Sequence, residues 1–334
     1  MLESPAPLID LGPLPELQIS SVGAWPKRRA KILKLVETHL FGPLPPTPVA
    51  TRAEFLCEIG HKEVAELSIE TYRVVTTSPD YAFELTLYIP ASKHPVPLIL
   101  DGDACWMRVN TELLALLARH SYALAYFNRC AIAADDKGNR DRGLFAQFPD
   151  APFNAISAWA WAYHRVVDAL SAHPALDPKK IIATGHSRGG KAALYAGATD
   201  PRIAVTNPNN SGCGGAGCLR KLHPKAEKLQ DIVRSFPHWF LPALTPETSA
   251  LDLPLDLHFL KALVAPRALL CTESLDDLWA NPLGTAITNE AAAPVWQLHG
   301  VPERLALHTR NGPHEHNLAD WQTLLNFATQ IFNP

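Results

Sequence analysis

Ser187 lies in the sequence GHSRGG, between an apolar, β-branched segment and an alanine-rich helical pattern. A Gly-x-Ser-x-Gly sequence between a strand and a helix is typical of a nucleophile elbow, a strained turn that exposes the serine hydroxyl. Gly185 and Gly189 fit this turn because a side chain at either position would crowd the strand or the helix. The following helix directs its N-terminus at the same point, where backbone N–H groups and the helix dipole favour an oxyanion. The motif therefore predicts a nucleophilic serine.

A serine hydroxyl becomes a good nucleophile only when a base takes its proton, and in this kind of site an acid and then a histidine follow the serine. Asp276 and Asp277 lie in a loop after an apolar segment, and we prefer Asp277 as the acid, with Asp276 in reserve. His314 and His316 follow the last apolar segment. His314 comes directly after a Gly-Pro turn and is the predicted base, whereas His316 is interpreted as a surface or helix N-terminal histidine.

The elements that must position these residues alternate along the chain. Six short, mostly apolar segments have the composition of strands covered on both faces, and helical patterns lie between them. The segments are VPLILD (96–101), YALAYF (122–127), KIIATG (180–185), RIAVTN (202–207), RALLCT (267–272) and RLALHT (304–309). The helical patterns cover about 110–119, 152–172, 187–198, 283–298 and 317–331. Together with the elbow, this alternation predicts an α/β-hydrolase fold: a doubly wound, mostly parallel sheet in a three-layer αβα sandwich.

The remaining segments suggest additions to this core. Residues 27–40 form an amphipathic helical pattern before a proline-rich turn, so residues 1–50 are predicted to be a helical arm packed on a main domain of residues 51–334. The segment YAFELTLYIP, residues 81–90, alternates as a half-exposed strand does. Residues 208–256 are irregular and are interpreted as an insertion over one edge of the sheet.

Composition limits the possible partners. The 334 residues are 47% hydrophobic and carry a net charge of −3, so the chain can bury a large core and offers no basic field for a nucleic acid. No segment is long and apolar enough to span a bilayer, and the first residues lack the features of a secretory signal. We therefore expect no membrane partner and a cytoplasmic location for the chain as written, or secretion if a signal has been removed. The oligomeric state is left open.

The cysteines do not suggest a metal site. There are six, none in a CxxC pair, and the sequence implies neither a metal nor an organic cofactor. Whether Cys213 and Cys218 pair with each other is left open.

The segment GHSRGGKAALYAGATDPRIAVTNPNNSGCGGAG, residues 185–217, resembles the glucuronoyl esterase family of carbohydrate esterases. The nucleophile of that family lies in a Ser-Arg-x-Gly-Lys sequence followed by a run ending in Ser-Gly-x-Gly-Gly. Further similar segments occur in the same order, so that the resemblance extends over about residues 80–332. They are AISAWAWAYHRVVDAL, FPHWF, PLDLHFLKALVAPR, DDLWANPLG and GPHEHNLADW.

This resemblance implies a serine esterase that cleaves esters of glucuronic acid or its 4-O-methyl form. It implies Ser187 as nucleophile, His314 as base and Arg188 as an oxyanion-stabilising residue acting through its N–H and guanidinium. Lys191 and Trp279 occupy positions where the family contacts the uronic acid sugar.

The chain departs from the family at the acid. Many members carry a glutamate at the position of Asn210, so the acid role moves to the loop SLDDLW, where related bacterial sequences carry a carboxylate.

The residue types themselves support part of this assignment. The Arg188 guanidinium could hold an oxyanion or a carboxylate through paired N–H groups. Lys191 lies one helical turn after Ser187 and is predicted to face the same crevice, the alternative being a surface lysine. Trp279 could stack on a sugar or pack as an ordinary tryptophan. Trp159 and Trp161 lie in a helical pattern and are assigned to the core.

A second oxyanion donor is expected from the loop near Gly102 and Asp103. The substrate is a small-molecule or oligosaccharide ester, and the alternatives are a general carboxylesterase or acyl-peptidase on the same fold, or a non-catalytic carbohydrate-binding relative.

Overall fold

A nine-stranded sheet lies at the centre of the structure, a computed structural model that describes residues 8–138 and 140–333. The strands are β1 (Ile9–Asp10), β2 (Ala50–Gly60), β3 (Leu67–Thr77), β4 (Tyr81–Pro90), β5 (Val96–Asp101), β6 (Ala123–Phe127), β7 (Leu176–His186), β8 (Ile203–Asn209), β9 (Lys221–Leu222), β10 (Ala268–Ser274) and β11 (Leu305–Arg310). The strand order of the sheet is β11-β10-β8-β7-β5-β6-β4-β3-β2, and β1 pairs with β9 outside it.

The parallel part of the sheet confirms the six predicted apolar segments. Strands β5, β6, β7, β8, β10 and β11 pair in parallel, and every residue of β6 and β10 is buried. Because the strands are parallel, the loops after β7, β10 and β11 all leave the sheet at one edge, which brings the predicted site residues together.

The antiparallel part is larger than the sequence predicts. Strand β4 coincides with the predicted segment 81–90, but β2 and β3 were not predicted and extend the sheet beyond it. The pairing of β2 with β3 shifts register between Phe55 and Cys57, and this bulge interrupts the alternation that would have identified β2.

Helices cover both faces of the sheet, which confirms the three-layer αβα sandwich. The helices are α1 (Trp25–Val36), α2 (Thr111–Arg119), α3 (Arg129–Ile132), α4 (Gly143–Gln147), α5 (Ala155–Leu170), α6 (Arg188–Thr199), α7 (Leu229–Ser235), α8 (His258–Ala262), α9 (Pro282–Leu298) and α10 (Leu318–Phe332). Helices α2 and α10 bury their apolar residues in one core cluster. Helices α1, α5, α6, α8 and α9 contribute to the larger cluster on the other face.

The N-terminal segment packs into the larger core. Trp25, Ile32 and Val36 of α1 are buried there, and the helix continues into a single π turn, Glu37–Phe41. Segment 208–256 contains β9, α7 and short 3-10 turns, and β9 pairs with β1. The predicted boundaries of the arm and the insertion stay predictions. No helix within the described residues is both long and apolar enough to cross a bilayer.

Candidate active site

Ser187 occupies a sharp turn between the end of β7 and the start of α6. Its backbone has φ 55° and ψ −118°, an unusual conformation for a residue with a side chain and typical of a nucleophile elbow. A Cβ on Gly185 would come within 2.5 Å of the Gly189 carbonyl oxygen, and one on Gly189 would overlap the carboxylate of Asp103. Both glycines are therefore required by close approach, as the sequence predicts.

His314 and Asp277 lie together at the same edge of the sheet. Nδ1 of His314 is hydrogen-bonded to Oδ2 of Asp277, and because a carboxylate can only accept, Nδ1 carries the proton and leaves Nε2 free to act as a base. The Asp277 carboxylate also accepts from the Ala280 N–H at 3.3 Å. Asp277 is buried, whereas the His314 side chain is 41% exposed.

Asp276 has a different contact. Its Oδ2 accepts the backbone N–H of Gly312 at 2.6 Å, so it fastens the loop that carries His314 and does not contact the imidazole. His316 is half-buried at the start of α10 and stacks on Trp321 with 4.6 Å between ring centroids. Burial lowers its pKa to about 4. His316 therefore keeps a neutral, packed ring.

A third histidine packs against the predicted base. The ring centroid of His186 lies 4.4 Å from that of His314, and its Nδ1 is 2.6 Å from Oδ1 of Asn209. Burial lowers the pKa of His186 to about 2, so it is a neutral support beneath the imidazole. Asn210, at the alternative acid position, accepts the Ser274 N–H and donates to the Glu315 carbonyl, so it braces the loops.

A second oxyanion donor is expected from the loop near Gly102 and Asp103, but the N–H groups of these two residues already have acceptors. The Gly102 N–H donates to the Tyr163 hydroxyl at 3.0 Å, and the Asp103 N–H donates to Oδ1 of Asp101 at 2.9 Å. The Asp103 carboxylate forms a buried ion pair with Arg129. These groups hold the base of the elbow and have no free N–H for a substrate.

Arg188 begins α6 directly after the nucleophile. Its guanidinium lies 4.8 Å from the ring centroids of both Phe236 and Trp239, and Nη1 is 2.7 Å from a carboxylate oxygen of Asp135. Its Nε is buried and has no partner among the described residues. Arg188 is thus held from one end and keeps an unused N–H donor.

One cavity of about 410 Å³ brings together the predicted nucleophile, base, oxyanion and sugar-contacting residues, while the acid Asp277 is not part of its lining. Its lining includes Ser187, Arg188, Lys191, Glu227, Trp279 and His314. The surface alternative for Lys191 is wrong, because the residue is only 4% exposed and its Nζ donates to the Ser211 carbonyl at 2.7 Å. Burial lowers its pKa. Trp279 is 54% exposed, so its ring is available at the cavity rim.

Glu227 is a site residue that the sequence analysis missed. It is buried in the cavity wall, its N–H donates to the Trp279 carbonyl at 3.0 Å, and burial raises the pKa of its carboxyl. It lies in the irregular segment 208–256, where no periodic pattern or motif distinguishes it. Its nearness to Lys191 could only come from the structure.

Other residues that the sequence analysis weighed lie outside the cavity. Trp159 and Trp161 are buried in the larger core, as predicted. Cys213 and Cys218 are buried free thiols. Among the described residues, no group of three or more histidine, cysteine or carboxylate side chains is placed to hold a metal ion. The predicted lack of a cofactor stays a prediction.

Comparisons with known proteins agree with this arrangement. The family profile described as "Glucuronyl esterase, fungi" matches residues 73–300. A 4-O-methyl-glucuronoyl methylesterase of Wolfiporia cocos is 31% identical over 300 residues, covering 85% of this chain and 70% of the relative. A second, from Podospora anserina, is 30% identical and is covered over 58% of its length.

Solved structures share the fold over nearly the whole chain. A glucuronoyl esterase from Solibacter usitatus superposes with a TM-score of 0.85 at 26% identity, covering 97% of this chain and 99% of that one. A family 15 carbohydrate esterase from Caldicellulosiruptor kristjansonii, also a glucuronoyl esterase, gives 0.82 at 27% identity, covering 96% and 91%. The parallel sheet, the elbow and the flanking helices are therefore those of an α/β-hydrolase.

Proposed function

Because the chain belongs to the glucuronoyl esterase family, we propose that it hydrolyses esters of glucuronic acid, the 4-O-methyl form included, with Ser187 as nucleophile. Membership makes it a carboxylic ester hydrolase on an α/β-hydrolase fold. One observation carries the proposal about substrate: the cavity that contains Ser187 and His314 also contains two buried ionisable side chains, Lys191 and Glu227.

The first step is attack of the serine on the ester carbonyl. Nε2 of His314 takes the proton of Ser187 as Oγ bonds to the carbonyl carbon, and Asp277 stabilises the imidazolium that forms. The alcohol leaves with the proton from His314, giving an acyl-enzyme. Water, deprotonated by the same Nε2, then attacks the acyl carbon and releases the uronic acid and the free serine.

Arg188 supplies the charge that stabilises the tetrahedral intermediate. Its backbone N–H stands at the start of α6, where the first N–H groups of a helix have no intrahelical acceptor. Its buried Nε–H has no partner among the described residues. With both groups on the residue after the nucleophile, the site does not need a donor from the loop after β5.

Recognition of the sugar falls to the cavity wall. The Lys191 ammonium has three donors and uses one on Ser211, so it can donate to sugar oxygens. The Glu227 carboxylate accepts hydrogen bonds from hydroxyl groups, and the exposed Trp279 ring offers an apolar face for the sugar.

The test compares two ester classes on the purified protein. We expect the methyl ester of 4-O-methylglucuronic acid to have a kcat/KM well above that of 4-nitrophenyl acetate, with Ser187→Ala as the blank for both. If 4-nitrophenyl acetate is turned over as well or better, the chain is a general carboxylesterase. The cytoplasmic location stays a prediction.

A further inference from the structure

Asp135 lies at the meeting point of three donors behind the oxyanion side of the cavity. One carboxylate oxygen accepts Nη1 of Arg188 at 2.7 Å. The other accepts Nε1 of Trp239 at 2.8 Å and Nε2 of His238 at 2.9 Å. Burial opposes the charge on Asp135, but the hydrogen bonds from His238 and Arg188 outweigh it and lower the carboxyl pKa. Asp135 is therefore an anion with both oxygens occupied.

These contacts connect parts of the chain that are far apart in sequence. Asp135 belongs to the loop after α3, Arg188 starts α6, and Trp239 lies in the irregular segment after α7. The Trp239 ring stacks on Phe236 with 4.0 Å between centroids, and the Arg188 guanidinium packs on both rings. One carboxylate thus fixes the arginine and the aromatic surface on which it rests.

The arrangement leaves Arg188 only a restricted set of positions. An arginine side chain has several rotatable bonds, and ordering it costs conformational entropy. The ion pair and the two rings already order the side chain in the free protein, so this entropy is lost before a substrate binds. The Nε–H, which is buried and has no partner among the described residues, therefore belongs to a side chain that is already ordered on the residue after the nucleophile.

We propose that Asp135 is a positioning residue for ester hydrolysis, which acts by holding the Arg188 guanidinium in the orientation that meets the oxyanion. It does not contact Ser187 or His314 and transfers no proton. Its effect passes through Arg188, so it should change the rate of the chemical step more than substrate binding. This inference rests on the function proposed above.

The first experiment replaces the carboxylate by its neutral isostere. We expect Asp135→Asn to lower kcat for methyl 4-O-methylglucuronate about tenfold to hundredfold, since removing a whole oxyanion donor costs about 10²- to 10³-fold and this change only loosens one. The KM should change less than about threefold. Asp136→Asn is the matched control, because Asp136 is the exposed neighbour and its carboxylate accepts the Gly138 N–H. It should leave both constants unchanged.

The second experiment asks whether the effect passes through Arg188. In an Arg188→Met background, Asp135→Asn should lower kcat by less than about threefold, because the group that it positions is gone. A loss as large as in the wild-type background would overturn the proposal and make Asp135 a structural residue. So would a loss that appears mainly in KM.

A folding defect is separated by a second variant. Asp135→Glu keeps the charge and shifts it by one methylene, so we expect a folded protein with a reduced kcat and a Tm near that of the wild type. Full activity in Asp135→Glu together with full activity in folded Asp135→Asn would overturn the proposal. Failure of the wild type to hydrolyse any uronate ester would instead reject the proposed function.

Discussion

The two sides of Ser187 are held in different ways. On the proton-transfer side, the loops after β10 and β11 carry Asp277 and His314, and the imidazole is 41% exposed. On the charge side, α6 carries Arg188 and Lys191, and Lys191 is only 4% exposed. On the first side a buried carboxylate holds an exposed imidazole, and on the second a half-buried and a fully buried cation are packed into the protein.

This difference separates catalysis from stability. Removing a side chain from an exposed loop leaves few polar groups without a hydrogen-bond partner. The fold should therefore tolerate the change, while the reaction fails. Removing one partner of a buried charge leaves the other unpaired in a medium where that is costly. Substitutions on the charge side should therefore alter stability and activity together.

The largest effect is expected at the nucleophile and the base. Ser187→Ala and His314→Ala should each lower kcat by about 10⁴- to 10⁶-fold with little change in Tm, because neither side chain supports the core. The measurement is kcat on methyl 4-O-methylglucuronate together with a thermal melt. The double variant should be no worse than the poorer single one, and losses that multiply would show that the two residues do not act as a unit.

The next effect distinguishes the two neighbouring aspartates. Asp277→Asn should lower kcat about 10⁴-fold, because an amide can favour the wrong tautomer of His314 and cannot balance the imidazolium. Asp276→Asn should cost no more than about tenfold, since its amide oxygen can still accept the Gly312 N–H. The reverse ranking would transfer the acid role to Asp276, and two weak effects would place it on another carboxylate.

The proton-transfer side could be predicted from sequence because its residues follow a topological rule. His314 and Asp277 are 37 positions apart, but each follows a parallel strand, and parallel strands end at one edge of a sheet. The serine was identified by a local motif that needs strand, glycine and helix in order. These signals depend on backbone geometry, so they can be recognised in a single amino-acid sequence.

The charge side could be predicted only in part. Arg188 and Lys191 were found by their spacing from Ser187, but their partners Asp135 and Glu227 lie in loops without periodicity. Asp135 is 53 positions from Arg188, and nothing in its own neighbourhood indicates the ion pair. Side-chain contacts of this kind depend on how loops pack. Strands β2 and β3 were also not predicted. The bulge in their pairing interrupts the alternation of apolar and polar residues in β2.

A smaller effect is expected for sugar recognition. Lys191→Met should lower kcat/KM for the uronate ester about tenfold to hundredfold, the loss expected for one charge-assisted hydrogen bond, and leave 4-nitrophenyl acetate within about threefold. Lys261→Met is the control, because Lys261 is equally buried but donates to Thr285 and Asn289 outside the cavity. It should lower Tm without discriminating between the esters. Equal losses on both esters in Lys191→Met would mean that Lys191 supports the elbow.

The smallest effect on activity is expected at Glu273, which lies in β10 below both sides of the site. It is fully buried, and burial raises its pKa to about 8, while Lys261 and Lys191 favour its charged form and Asp277 opposes it. Oε1 accepts the Thr285 hydroxyl at 3.0 Å, and Oε2 has no partner among the described residues. A protonated Glu273 therefore suits the fold at neutral pH.

The sign of the pH dependence follows from this raised pKa. Between the ordinary pKa of 4.5 and about 8, the folded chain keeps a proton that the unfolded chain releases, so the free energy of unfolding should fall as pH rises through that range. The slope from one such group is at most about 1.4 kcal/mol per pH unit. Glu273→Gln stays neutral and keeps the Thr285 contact, so its stability should fall less steeply between pH 5 and 8 by about that slope. Denaturant unfolding at several pH values measures this, and identical slopes for the variant and the wild type would show that Glu273 is ionised in the folded protein.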